Sequence, residues 1–172
     1  LSAARAYATV TWDQLHRDAR SLAAALMAGP PGGGPWRGLV AISRGGLIPA
    51  AIVARELECR MVECVCVASY DQAETTDAGG KDTQGEARIL KAPTAAGDGE
   101  GFVIIDDLVD SGKTAQLVRA MLPKAHFACL YAKPAGAVVA DTWVIEVPQD
   151  TWVLFPWDTA PLFVPPMART PT

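Results

Sequence analysis

The sequence has no apolar run of membrane-spanning length and no leader pattern, so a soluble chain residing in the cytoplasm is the expectation. It has no excess of positive charge: 15 Lys and Arg against 19 Asp and Glu leave a net charge of −4, which argues against a general nucleic-acid-binding surface. Cysteine is scarce. Cys59, Cys64, Cys66 and Cys129 lack the paired spacing of a zinc site and read as reduced thiols, not as disulfides. The two histidines, His16 and His126, fall outside every motif and read as structural. What the chain does have is length for one core: 172 residues, half of them apolar, predict a single α/β domain over residues 1–166 and a disordered tail at 167–172.

Trp12, Leu15, Ala19, Leu22 and Leu26 recur at helical spacing, with Thr11 as a cap, and this first helix ends at Gly29. Pro30 to Pro35 can continue neither helix nor strand. Gly38 to Ser43 reads as a buried strand, Leu47 to Leu57 as its crossover helix with Pro49 in the first turn, and Met61 to Ala68 as the next strand. The polar stretch over about 71–99, in which only Ala87 to Leu90 is apolar, predicts a mobile flap that could carry a short hairpin. Phe127 to Ala132 and Thr142 to Val147 complete the sheet, and the Trp/Pro-rich segment from Pro148 forms a cap. Trp143 and Trp157 are the tryptophans expected in the core.

The densest chemistry lies in FVIIDDLVDSGKTA, Phe102 to Ala115. Its β-branched, unalternating start reads as a strand buried on both faces of a parallel sheet, and places Asp106 and Asp107 at the strand's carboxyl end, where ligand crevices of α/β sheets lie. The turn Asp110-Ser111-Gly112-Lys113-Thr114 opens a helix over Ala115 to Met121, whose first-turn N–H groups would face an anion. Gly112-Lys113-Thr114 reproduces the end of a nucleotide-binding P-loop. The first glycine of that motif is missing, however, and Asp107 in its place would repel a polyphosphate. Two carboxylates beside a Ser/Gly/Thr turn suit a phosphorylated ribose better: the carboxylates take hydroxyls and the turn takes the phosphate.

That segment resembles the phosphoribosyl-pyrophosphate (PRPP) motif of the type I phosphoribosyltransferases. With VTWDQL, AISRGGLIPAAIVAREL, ASYD, PKAHF, AKPAG, PQDTWV, PWD and FVPP in the same order, the chain resembles the bacterial xanthine-guanine branch of that family. The resemblance implies a twisted, mainly parallel sheet flanked by helices, with a small hood and a flexible flap. It also implies purine salvage: transfer of phosphoribose from PRPP to N9 of guanine or xanthine, hypoxanthine being poorer, with Mg²⁺ as cofactor. A homotetramer and loose attachment to the inner membrane surface are further implications of the family.

By the same resemblance, Asp107 holds Mg²⁺ directly or through water, Asp158 is a candidate second contact to the metal, and Asp106 takes a ribose hydroxyl. Asp110 approaches N7 of the purine and shares its proton, or else caps the following helix. Ser111, Gly112, Lys113 and Thr114 surround the 5′-phosphate. Lys113 stands where the family commonly has glycine, and so needs a backbone conformation open to a side chain. Arg44 and Gly45 meet the pyrophosphate in a loop that in the family often carries a cis peptide. Ser69 and Tyr70 begin the flap, whose basic contact falls to Arg88 or Lys81 because position 85 is glycine. Lys133 donates to O6 of a 6-oxopurine and has nothing to accept from a 6-amino group, Trp152 stacks on the ring, and the Val153 carbonyl meets the 2-substituent. Two rivals remain: a hypoxanthine-preferring transferase, and a regulator that keeps a PRPP site but binds nucleic acid, which the acidic charge and the retained Asp110 and Lys133 disfavour.

Overall fold

The computed structural model describes residues 6–69 and 87–160. In chain order these form β1 (Ala6–Thr9), α1 (Trp12–Leu26), β2 (Gly38–Ser43), α2 (Leu47–Glu56), β3 (Val62–Ser69), β4 (Ala87–Lys91), β5 (Phe102–Val109), α3 (Lys113–Met121), β6 (His126–Ala132), α4 (Pro134–Ala137), β7 (Thr142–Glu146), β8 (Thr151–Leu154) and a 3₁₀ turn, Pro156–Asp158. The main sheet runs β4-β3-β2-β5-β6-β7. Every pairing in it is parallel except β3 with β4. A separate two-stranded parallel sheet joins β1 to β8.

The central strands are apolar without alternation because both of their faces are covered. Leu39, Ala41, Val103, Ile105, Ala128 and Leu130 face α1 and α2, packing with Leu15, Ala19, Leu22, Ala50 and Val53. Their neighbours Val40, Ile42, Phe102, Ile104, Phe127 and Cys129 face α3, against Ala115, Val118 and Leu122. Along β2, and along β5 as far as Ile105 and β6 as far as Leu130, successive side chains thus lie on opposite faces. Thr11 caps α1 as expected, its Oγ1 accepting from the Gln14 N–H at 3.2 Å.

Three expectations are corrected. Trp143 is 39% exposed because β7 is an edge strand, and Trp157 is 37% exposed, stacked on Phe155 with ring centroids 4.9 Å apart. The buried tryptophan is Trp36, whose Nε1 donates to the Leu26 carbonyl at 2.8 Å and so closes the end of α1. Trp12, placed on the apolar face of α1 by its spacing, is exposed and meets Trp157 edge-on.

Residues 87–99, assigned by sequence to the flap, contain β4 and a turn tied to β3, where Glu63 accepts from Thr94 and Ala95. The rest of that stretch, Tyr70 and Lys81 included, and the tail beyond 160 lie outside the described residues. None of the described helices is long and apolar enough to cross a membrane.

Candidate active site

β5 is longer than its apolar run suggested. Asp106, Leu108 and Val109 stay paired with Cys129, Tyr131 and Ala132 of β6, so Asp106 and Asp107 sit within the strand and not past its end. The apolar run ended the expected strand too early because backbone pairing continues through a carboxylate as readily as through a valine. The two side chains line different cavities yet stay in contact with each other.

Asp106 lines a cavity of about 120 Å³ with Asp110, Ser111, Gly112, Lys113 and Thr114. Asp107 lines a larger cleft of about 570 Å³ with Arg44, Gly45, Leu47, Trp157 and Asp158. Burial raises the affinity of Asp106 for its proton well above the usual carboxylate range, and the neighbouring Asp107 charge adds to the shift. Asp107 is shifted the same way, mainly by burial. Among the described residues neither forms an ion pair with a basic side chain. Besides each other, their partners are backbone: the Asp107 N–H donates to Asp106 Oδ1 at 3.0 Å, and the Leu108 N–H to Asp107 Oδ1 at 2.7 Å.

The turn after β5 explains how Lys113 replaces glycine. Gly112 takes the left-handed conformation, φ +81°, and is the N-cap, so Lys113 enters α3 as its first residue with ordinary helical geometry. The helix thus begins two residues before the expected Ala115. No side chain caps it. The capping role considered for Asp110 is not taken, since Asp110 is engaged elsewhere: Lys133 Nζ lies 2.8 Å from Oδ2 and Gln149 Nε2 lies 2.8 Å from Oδ1. Lys133 is 4% exposed at the end of β6, while the Asp110 side chain is 51% exposed. Gly136 makes this approach possible, because a Cβ there would collide with the Asp110 and Val109 backbone.

On the other side of the cleft, the turn after β2 presents Arg44, and the Ser43–Arg44 peptide in this loop is cis. Gly46 packs against the Ile105 carbonyl and Gly45 against the Asp107 carboxylate. Asp158 accepts from the Phe155 N–H at 3.0 Å, which closes the 3₁₀ turn and leaves the residue on the cleft wall. In β8, Trp152 is 47% exposed while Val153 is buried in the core, so strand alternation turns only the indole outward. Ser69 ends β3, and Arg88 is exposed on β4, opposite Ala68. Sequence reasoning missed Gln149: it lies inside the quoted PQDTWV segment, but an amide in a turn carries no chemical signature until its partners are known.

The chain matches the phosphoribosyl transferase domain over residues 11–163. It belongs to the phosphoribosyltransferase family. A xanthine-guanine phosphoribosyltransferase of Gluconobacter oxydans is 65% identical over 164 residues, covering 95% of this chain and 92% of that protein. One from Nitratidesulfovibrio vulgaris is 51% identical over 162 residues, covering 94% and 91%. Among solved structures, the purine phosphoribosyltransferase of Pyrococcus horikoshii superposes with a TM-score of 0.68 at 26% identity, covering 93% of this chain and 99% of that one. For this phosphoribosyltransferase, the mostly parallel sheet flanked by helices is therefore family architecture.

Proposed function

We propose that this phosphoribosyltransferase moves the 5-phosphoribosyl group of PRPP to N9 of guanine or xanthine, and more slowly of hypoxanthine, giving GMP or XMP and pyrophosphate in purine salvage. The observation that carries the reading is the pair Lys133–Asp110, a buried ammonium and a carboxylate 2.8 Å apart at the rim of the cavity under the Ser111–Thr114 turn. A 6-oxopurine presents an acceptor at O6 beside a proton at N7. Lys133 supplies the donor and Asp110 the acceptor. Adenine offers Lys133 only another donor, and would leave the ammonium N–H that should meet the base without an acceptor.

The remaining residues fit the rest of the substrate. Ser111, Gly112, Lys113 and Thr114 receive the 5′-phosphate with hydroxyls, N–H groups and one ammonium at the start of α3. Arg44 and Gly45 face the pyrophosphate across the larger cleft. Asp106 and Asp107 face the ribose and its metal, and the exposed Trp152 offers the purine a flat surface to stack on.

The residues present fit Mg²⁺. Two largely buried carboxylates without a basic partner among the described residues call for a cation, and no cluster of three or more His, Cys, Asp or Glu is present among those residues to bind one unaided. Asp107, with Asp158 across the cleft, would hold a metal whose other ligands come from PRPP and water. When bound, the metal neutralises charge developing on the departing pyrophosphate. Asp110 accepts or shares the N7 proton as N9 attacks the ribose carbon and pyrophosphate departs. A homotetrameric assembly, proposed from the resemblance alone, is checked by light scattering of the purified chain.

The test is the initial rate of pyrophosphate release with PRPP, Mg²⁺ and each of guanine, xanthine, hypoxanthine and adenine. Turnover with guanine and xanthine and little with adenine supports the assignment. PRPP binding without turnover of any purine would overturn it and favour a regulatory protein.

A further inference from the structure

Gln149, in the turn between β7 and β8, joins three segments through one side chain. Its Oε1 accepts from the Ala135 N–H at 3.0 Å, and its Nε2 donates to Asp110 Oδ1 at 2.8 Å. Lys133 Nζ occupies the other carboxylate oxygen, Oδ2, at 2.8 Å. Ala135 lies in the first turn of α4, where backbone N–H groups have no partner within the helix. A backbone N–H can only donate. Its contact therefore fixes which end of the amide is which: oxygen toward Ala135, and so NH₂ toward Asp110. An amide held in that sense presents its NH₂ as a donor to the Asp110 carboxyl oxygen and ties that oxygen to the backbone of α4.

We propose that Gln149 is a positioning residue for Asp110: together with Lys133 it fixes the plane of the carboxylate and so aims a free lone pair at purine N7. This inference rests on the proposed transfer reaction and adds to it a residue outside the base and PRPP contacts. Gln149 and Asp110 are both exposed, so the hydrogen bond adds little to stability; its effect is on direction. The other charged groups around Asp110 are Lys133 from the end of β6, and Asp106 of β5 and Lys113 of α3 from the shared cavity wall.

Two substitutions separate positioning from simple tethering. Gln149→Glu keeps an oxygen for the Ala135 N–H but replaces the donor to Asp110 with a like charge. Gln149→Met removes both bonds at similar length. Rates with guanine and PRPP are measured from about pH 5 to 9, with melting temperatures alongside. The expected result for Gln149→Glu is wild-type melting and KM for PRPP, kcat down roughly ten-fold or more, and the acidic limb of kcat/KM for guanine moved up by about one pH unit. Gln149→Met is expected to lose kcat with a smaller movement of the limb. A Gln149→Glu enzyme with wild-type kcat and pH profile would show that Gln149 only ties the loops together, overturning the proposal.

A second readout needs no turnover. The ¹³C carboxyl resonance of Asp110, followed against pH in the ligand-free protein, is expected to have a higher midpoint in Gln149→Glu than in wild type. An unchanged midpoint overturns the proposal even if the wild-type chain turned over every purine. Conversely, absence of turnover with all purines would defeat the reaction assignment while this resonance still decides the role of Gln149.

Discussion

Gly45 lies against the carboxylate of Asp107 with no room between them for a methyl group: a Cβ on Gly45 would fall inside contact distance of all three carboxylate atoms. Gly45→Ala must therefore displace Asp107 or the loop that carries Arg44. Since small misplacements near a reacting centre weigh heavily, kcat/KM for PRPP is expected to fall by about 10² or more, with the far-UV circular dichroism unchanged. Retention of wild-type kcat/KM would mean the Asp107 position is unimportant.

Asp106 makes the free enzyme less stable as pH rises. Burial raises its folded-state proton affinity above that of the unfolded chain, so between those two affinities the native state binds more protons, and stability falls with increasing pH. Asp106→Asn keeps an oxygen for the Asp107 N–H but removes the charge. The variant is expected to melt several degrees above wild type near neutral pH, with the gap closing toward about pH 4 as the native aspartate takes up its proton. Melting curves across that range check it, and a gap that does not narrow in acid would contradict the argument.

Asp110→Asn is expected to lower kcat by roughly 10² to 10⁴, the usual worth of a general acid or base. It also leaves the Lys133 ammonium, 5% exposed at its side chain, without its carboxylate partner, so the melting temperature should drop as well. Lys133→Met removes that buried charge, and is expected to melt above Asp110→Asn while losing most of the preference for guanine over adenine. Competition assays with the two bases measure the preference directly.

Lys113 stands at the first position of α3 on the wall of the phosphate-sized cavity. A charge-assisted hydrogen bond to phosphate is worth about 1.5–3 kcal/mol. The side chain is exposed, so the lower end applies, and Lys113→Gly is expected to raise KM for PRPP about ten-fold at low salt and less at high salt. An unchanged KM would show that the ammonium points to solvent.

The parts of this architecture that could be read from sequence are those where one residue pattern has one physical cause. The β-branched runs Gly38–Ser43 and Phe102–Ile105 could only be strands covered on both faces, and they are. The turn from Asp110 to Thr114 was marked by Gly112, which takes the left-handed conformation that opens α3. By contrast, β1 and β8 are four residues each and amphipathic only in company, so neither announces itself without the other. The exposure of Trp143 depends on β7 being last in the sheet, a fact of strand order that local sequence does not carry. Gln149 was invisible for a similar reason, since its meaning lies in Ala135 and Asp110, residues remote in sequence.

The pairing of β1 with β8 has a consequence for the order in which the molecule is made. Tyr7 pairs with Trp152 and Thr9 with Leu154, so a strand near the start of the described sequence finds its partner only after nearly all of that sequence has left the ribosome. The main sheet with its phosphate turn is complete in sequence by Glu146, whereas the segment bearing Trp152 gains its hydrogen-bonded neighbour last. A nascent chain therefore has every strand of the main sheet before it has the segment proposed to carry the purine.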